Sequence, residues 1–412
     1  MNPSPLRLLP ESASADAGWL VLTRALRALG DGAVSILLVS YLQLLGRNAF
    51  EVGAIVTGTL LGSAALTLVV GLAPHGLHPL RLLKAAALLM MATGMGFAVA
   101  RSFWPLFAIA FIGTLNPSAG DVSVFLPMEQ ALLAETAKGA DRTRIFAWYN
   151  VCATLTGAVG ALLSALPAMA TRSFGFSRLA AERMGFAGYS LLAVAVLAGY
   201  LRMSPAAQSS VAADGARAPL AHSRAIVIKL AALFSLDSFG GGFVVQSLLV
   251  LWLFRRFNLS PQTTAEVFFA AGLLGGFSQF VSAWLAERIG LINTMVFTHL
   301  PANAFLVLAG LMPTAPLAIT FLLLRTLLSQ MDVPARQSYV MTVVPPQERP
   351  AAASVTNVPR SLATALSPLL AGAMLNRSSF GWPLVCAGVL KAVYDVLLLV
   401  QFSAVKPHPH SE

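Results

Sequence analysis

The sequence predicts an all-α membrane protein in which twelve transmembrane helices form two pseudo-symmetric six-helix bundles. Three observations predict it. Of the 412 residues 57% are hydrophobic and only 11% charged, with a mean hydropathy of +0.75, far from the composition of a soluble domain. The apolar residues fall into twelve runs, each near the roughly 20 residues needed to cross a bilayer. Short strings also recur at near-constant separation. LLV occurs at Leu37–Val39 and Leu248–Val250, and Asp-Val at Asp121–Val122 and Asp332–Val333, each 211 residues apart, while Asn150–Val151 and Asn357–Val358 are 207 apart. A duplicated six-helix unit accounts for all three, and a parallel repeat of that kind places a binding site near the midplane between its halves.

In chain order the runs cover 19–45, 50–72, 80–100, 103–134, 145–168, 186–203, 225–253, 263–286, 292–312, 315–343, 352–375 and 380–403. The long polar stretch SPAAQSSVAADGARAPLAHSR, 204–224, is rich in Ala, Ser and Pro and reads as a cytosolic linker. It separates bundles at 19–203 and 225–403, flanked by short tails at 1–18 and 404–412. A second polar insert, Thr171–Met184, parts the fifth and sixth helices on the opposite side. The amino terminus lacks the basic-then-apolar pattern of a signal peptide and is expected in the cytosol. Counting loops and tails, that orientation puts 12 Lys and Arg inside against 8 outside, the expected direction. An even number of helices returns the C-terminus to the same side. Cys152 and Cys386 lie far apart within apolar runs and read as buried thiols, not a disulfide.

Charges inside such runs carry the functional signal, because each costs about 2.5–3.5 kcal/mol at mid-membrane unless it faces a wet cavity or a partner. Asp31 falls in the first helix, Asp121 in the fourth, Asp237 in the seventh and Asp332 in the tenth, the first and fourth of each half. All four sit in backbone-loosening sequence: LGDGAV, NPSAGDV, DSFGGG and MDVPAR. Asp332 and Arg336, one turn apart, either face a cavity or neutralise each other and tie helices together. Arg24 and Arg27 precede Asp31 on one helical face, and Arg27, four residues before it, is placed to pair with it; Arg325 is a further basic candidate. Arg360, Lys391 and Asp395 read as interhelical ties. Glu129 lies near the cytosolic end of the fourth helix, within reach of loop cations such as Arg144. Tyr41, Trp148, Tyr149, Phe239 and Trp252 either offer π-faces to a cation in a cavity or anchor the chain at the interface.

Other classes are set aside on the same grounds. The net charge of +10 is scattered between apolar runs and forms no nucleic-acid-binding stripe. Neither H-E-x-x-H nor a Gly-x-Ser-x-Gly elbow is present, and five of the six histidines fall in loops or the tail, so no enzyme is expected. No Cys or His cluster supports a soft metal, although carboxylates suit hard cations.

With these motifs in view, the chain resembles the major facilitator superfamily over essentially its whole length. That family's loop between the second and third helices of each half, roughly G-x-L-A-D/E-R-x-G, is met in the second half by AWLAERIG, Ala283 to Gly290, with Ala283 replacing the leading Gly. The resemblance implies that Glu287, Arg288 and Gly290 form a cytosolic charge latch favouring the outward-facing state. The first-half counterpart, GLAPHGLHPLRLLK at 71–84, lacks the acid and the Arg in the matching places. The tenth helix, DVPARQSY followed by VVPPQER, is similar to bacterial exporter-type members, whereas the fifth retains only Gly157 and Gly160 of the exporters' Gly- and Pro-rich stretch.

The expected function is secondary active transport of a small organic molecule, cationic or neutral, by alternating access. Export driven by protons is favoured, with a proton-coupled importer or a metal or metalloid ion carrier of the same fold as alternatives. A non-transporting receptor or scaffold is the reading from a different class. The expected path is lined by Asp31, Asp121, Asp237, Asp332, Arg27 and Arg336. The chain is expected to need no cofactor beyond the proton gradient and no metal. It should act as a monomer in a bacterial inner membrane, with the bilayer and the solute as its partners and no nucleic acid.

Overall fold

The computed structural model of the protein describes residues 13–72, 78–118, 123–136, 139–204, 223–345 and 348–402. Asp121, residues 73–77 of the first-half loop, and most of the linker and tails lie outside the described residues. Among those described there is no strand. The helices are α1 Ala15–Leu44, α2 Ala49–Leu72, α3 Pro79–Val99, α4 Phe103–Ile112, α5 Phe125–Glu135, α6 Gly139–Leu163, α7 Leu166–Phe174 and α8 Arg178–Leu201, followed by α9 Arg224–Gly242, α10 Gln246–Phe257, α11 Pro261–Ile289, α12 Leu291–Leu311, α13 Ala315–Ser329, α14 Asp332–Val343, α15 Arg349–Arg377 and α16 Trp382–Phe402.

Sixteen helices make twelve spans because four spans are broken, and the breaks have local causes. α4 and α5 are parted where Gly113, Asn116 and Pro117 interrupt the ladder, and the Asn116 side chain accepts from the Ser118 amide at 3.2 Å. α9 and α10 are parted at Phe243–Val245 behind the run Gly240–Gly242. α13 and α14 are parted at Gln330–Met331, and Pro334 sits in the first turn of α14, where a missing N–H costs nothing. The Met331 carbonyl freed there accepts from Ser282 Oγ on α11 at 2.5 Å. Irregular backbone at membrane depth is tolerated where such partners exist. α6 and α7 are parted at Ser164–Ala165, just ahead of Pro167.

Spatial proximity divides the chain into two compact units, Met1–Ala213 with Leu259–Phe269, and Asp214–Asn258 with Ala270–Glu412. In the first unit α1 packs on α6 and α8, and α3 on α8; in the second α9 packs on α15 and α16, and α12 on α16. Counted as spans, the pairings one–five, one–six and three–six return as seven–eleven, seven–twelve and nine–twelve. The register repeats as well: Ala49, Pro79 and Phe103 open α2, α3 and α4, and Pro261, Leu291 and Ala315 open their counterparts, each 212 residues on. Two pseudo-symmetric six-helix bundles follow.

Lipid is as apolar as leucine, so helices here associate by close packing and not by hydrophobic exclusion. α1 meets α6 through glycines: a Cβ on Gly160 would collide with the Leu29 carbonyl, and one on Gly32 with the Gly157 carbonyl. The outward faces carry Val99, Trp104, Leu191 and Val400, each roughly 70% exposed, as side chains facing acyl chains should be. Cys152 and Cys386 are free and half-buried. At the start of α3, His78 Nδ1 accepts from the Leu80 amide at 3.2 Å. Partial burial and then the Arg81 charge hold that imidazole below the usual histidine range, keeping the capping nitrogen unprotonated.

Gly160→Ala should therefore destabilise the purified protein by about 1–3 kcal/mol, the cost of overpacking a tight contact. Gly188→Ala on α8, where nothing lies within 4 Å of the new methyl, should be neutral or slightly stabilising. Thermal unfolding of the two variants side by side in detergent checks the contrast.

Candidate functional site: buried charge clusters in each half

In the first unit the charges gather around Glu129, which is 0% exposed. Its Oε2 accepts from the Arg27 guanidinium and from the Tyr149 hydroxyl at 2.5 Å, and its Oε1 from the Tyr200 hydroxyl at 2.5 Å and Thr23 Oγ1 at 3.3 Å. The guanidinium of Arg27 also lies 4.2 Å from the centroid of the Phe125 ring. Helices α1, α5, α6 and α8 thus all reach one carboxylate. Asp31, one turn beyond Arg27 on α1 and 7% exposed, accepts among the described residues from Asn116 Nδ2 at 3.4 Å.

In the second unit Asp237 on α9 is the hub. Lys391 Nζ on α16 donates to it at 2.6 Å and Arg336 Nη1 on α14 at 3.0 Å, while His299 Nε2 on α12 stands 3.9 Å away. Arg336 also pairs with Asp332 at 3.6 Å and lies over the Phe234 ring. His299 Nδ1 donates to Asp395 at 2.9 Å, the carboxylate being an acceptor only, and Asn303 Nδ2 donates to the other Asp395 oxygen at 2.8 Å. Arg360 Nε donates to Ser238 Oγ at 3.1 Å, tying α15 to α9.

Several expectations change. Arg27 pairs with Glu129 and not with Asp31, because the carboxylate on α5 completes a fully hydrogen-bonded site that a neighbour on the same helix does not offer. Glu129 accordingly belongs to the buried interior, while Arg144 is exposed. Asp332 and Arg336 do pair, yet Arg336 reaches past its own helix to Asp237, so the pair is not self-contained. Lys391 and Asp395 tie helices as expected, through separate partners. Tyr41, Tyr149 and Trp252 are buried inside their own unit and do not stand as interfacial anchors. Sequence reasoning passed over His299, Asn303, Asn116 and Tyr200. The available signal was polar residues deep in apolar runs, most visibly the one-turn spacing of His299 and Asn303.

The AWLAERIG segment closes α11, and Gly290 turns the chain into α12 in a single residue at φ +84°, a conformation that glycine alone adopts freely. Glu287 and Arg288 are both exposed, and the Arg288 guanidinium lies 4.4 Å from the Trp284 ring centroid.

Twelve membrane-length spans in two like halves, with charges buried in their first and fourth helices, define a secondary transporter. The sequence model of the Major Facilitator Superfamily matches residues 20–329 and 238–412, and the chain belongs to that family. The chain is 22% identical over 426 residues to YJR124C, an uncharacterized membrane protein of Saccharomyces cerevisiae, covering 95% of each. Among solved structures it resembles a bacterial homolog of the human lysosomal transporter Spinster, with a TM-score of 0.74 at 13% identity over 95% of this chain and 98% of that one. It also resembles the nucleoside transporter NupG, with a TM-score of 0.69 at 14% identity over 93% and 98% of the two chains. A D-xylose-proton symporter gives 0.72 at 14% over 92% and 96%. These likenesses establish the fold, and the family makes the chain a multi-pass membrane transporter of small molecules.

Removing one partner of a buried ion pair strands the other, at about 3–5 kcal/mol. Lys391→Met should therefore lower the unfolding temperature strongly, and Asp237→Asn combined with Lys391→Met should lower it by less than the sum of the single changes. A double-mutant cycle read by thermal unfolding measures that coupling.

Proposed function

We propose that the protein is a proton-coupled transporter of a small organic solute working by alternating access. The observation that carries this is Asp31. It is a carboxylate on a membrane-spanning helix whose neighbouring cation, Arg27, is committed to Glu129, and which among the described residues makes no ion pair and accepts one hydrogen bond, from the Asn116 amide. A buried acid without its own cation is the group placed to take up and release a proton, because the neutral form removes the cost of the charge. Asp237 and Asp332 are ion-paired and hold helices together, so their carboxylates no longer argue for a cationic solute. One proton moving down 100 mV supplies about 2.3 kcal/mol, enough for a roughly 50-fold gradient.

Export by antiport is the direction that the exporter-like tenth helix favours. Uptake by symport is the second reading, and the likeness to a D-xylose-proton symporter is compatible with it. The test uses proteoliposomes under an imposed pH gradient, with a solute found by thermal-shift screening. Asp31→Asn should abolish accumulation against a gradient while sparing exchange at equal concentrations. Accumulation like the parent's would remove Asp31 from the coupling. The sign of the pH gradient that drives accumulation decides between antiport and symport.

The loop at Glu287–Gly290 is proposed as the conformational latch that the family likeness implies. Arg288→Ala should then slow transport in the same vesicles while leaving the solute's thermal-shift midpoint nearly unchanged, since the residue is exposed and its guanidinium lies over Trp284.

A further inference from the structure

One buried acid belongs to neither charge cluster. Glu182 opens the second turn of α8 and is 4% exposed. Ser40 Oγ, near the end of α1, donates to its Oε1 at 2.5 Å, while its Oε2 is buried without a hydrogen-bond partner. Among the described residues Glu182 makes no ion pair. Arg178, one turn earlier on α8, is exposed, as is Arg172 on the neighbouring α7, and Arg183 turns away to donate to the Val99 carbonyl at 3.5 Å. The faces that α1 and α3 bring to this turn hold Ser40, Tyr41, whose hydroxyl is given to the Ala100 carbonyl at 2.7 Å, and Phe97. Deeper along the seam, Phe186 packs on Tyr41 and Phe97, and Leu37 fills the space over Gly185. Asp31 lies beyond that apolar plug, nine residues before Ser40, or about 14 Å by the helical rise.

A carboxylate held there as an anion has one hydrogen bond and no cation in contact, and it stands past the first turn of its helix, where the helix dipole does little for it. A neutral acid with one idle O–H costs far less than a buried charge. We propose that Glu182 is a proton-binding site separate from Asp31, and that its protonated form, bonded to Ser40, holds the end of α1 against the start of α8. On ionising, the carboxylate gains by leaving for water and for Arg178, one turn away, and Ser40 loses its partner. The closed end binds one proton more than the open one, so the tie is complete at low pH and is released as pH rises. The bonds Tyr41–Ala100 and Arg183–Val99 join the same ends without an acid and do not respond. The device needs neither a solute nor a coupled transport step, and so goes beyond the transporter reading.

The experiment uses the full-length purified protein in neutral detergent at constant ionic strength, with pH stepped from about 5 to about 9. Infrared difference spectra should show a protonated-carboxyl stretch that fades as pH rises and is missing in Glu182→Gln, which keeps an acceptor for Ser40. Hydrogen exchange over residues 178–186, taken as the ratio of the parent to Glu182→Gln at each pH, should rise by up to about tenfold per pH unit once the acid ionises. Arg178→Gln, at an exposed position, should keep the end closed to higher pH. Asp31→Asn should leave both readouts as in the parent, so failure here and failure of coupling at Asp31 are read separately. The proposal falls if the Glu182 band is absent at every pH, if it persists unchanged across the range, or if the exchange ratio stays flat. It falls as well if Asp31→Asn removes the band, or if replacing potassium chloride by sodium chloride, and not a change of pH, closes the end.

Discussion

Each half has a buried ion pair that joins its first helix to the second segment of its broken fourth helix, and the two pairs have opposite polarity. In the first unit the cation is on the first helix, Arg27, and the anion on the fourth, Glu129. In the second the anion is on the first helix, Asp237, and the cation on the fourth, Arg336. Glu129 is the fifth residue of α5 and Arg336 the fifth of α14, 207 residues apart and so about one turn out of the 211–212 register: the two halves use the same helices with the signs exchanged, not equivalent positions. A desolvated charge tolerates no vacancy opposite it. That requirement decides which helices must stay in contact.

The other polar groups arrange themselves around those pairs. Tyr149, Tyr200 and Thr23 complete the acceptor capacity of Glu129, while Lys391 and, through His299, Asp395 and Asn303 surround Asp237. In both halves the network reaches the sixth helix of the bundle, through Tyr200 on α8 and Lys391 on α16. Full satisfaction makes such networks rigid. Rigid halves are what alternating access requires, since transporters of this kind move as bundles about a site.

The irregular backbone lies instead in the interrupted spans. The fourth and tenth spans break at matching places, beside Asn116, whose own side chain accepts from the Ser118 amide, and beside Met331, whose carbonyl accepts from Ser282 on α11. Among the described residues Asp31 receives a hydrogen bond from one of those breaks, through Asn116. Asp332, at the other break, opens α14 beside the arginine that holds Asp237. A change in charge at either acid thus acts next to a break in the helical backbone.

The spans, the duplication and the class of protein were legible in the sequence by itself, because membrane-length apolar runs and a repeat near 211 residues are properties of order along the chain. So were the breaks at NPSAGDV, DSFGGG and MDVPAR, since Gly and Pro act locally. The one-turn spacing of Arg27 and Asp31 suggested a pair, but only the tertiary structure could give Arg27 to Glu129, a partner 102 residues away. Likewise Lys391 read as a tie between helices, but only the fold could name its partner, Asp237, 154 residues away. Charge pairing inside a bundle is decided by which helix faces which, and by which carboxylate can be completely hydrogen-bonded. Neither is written in the spacing along one helix.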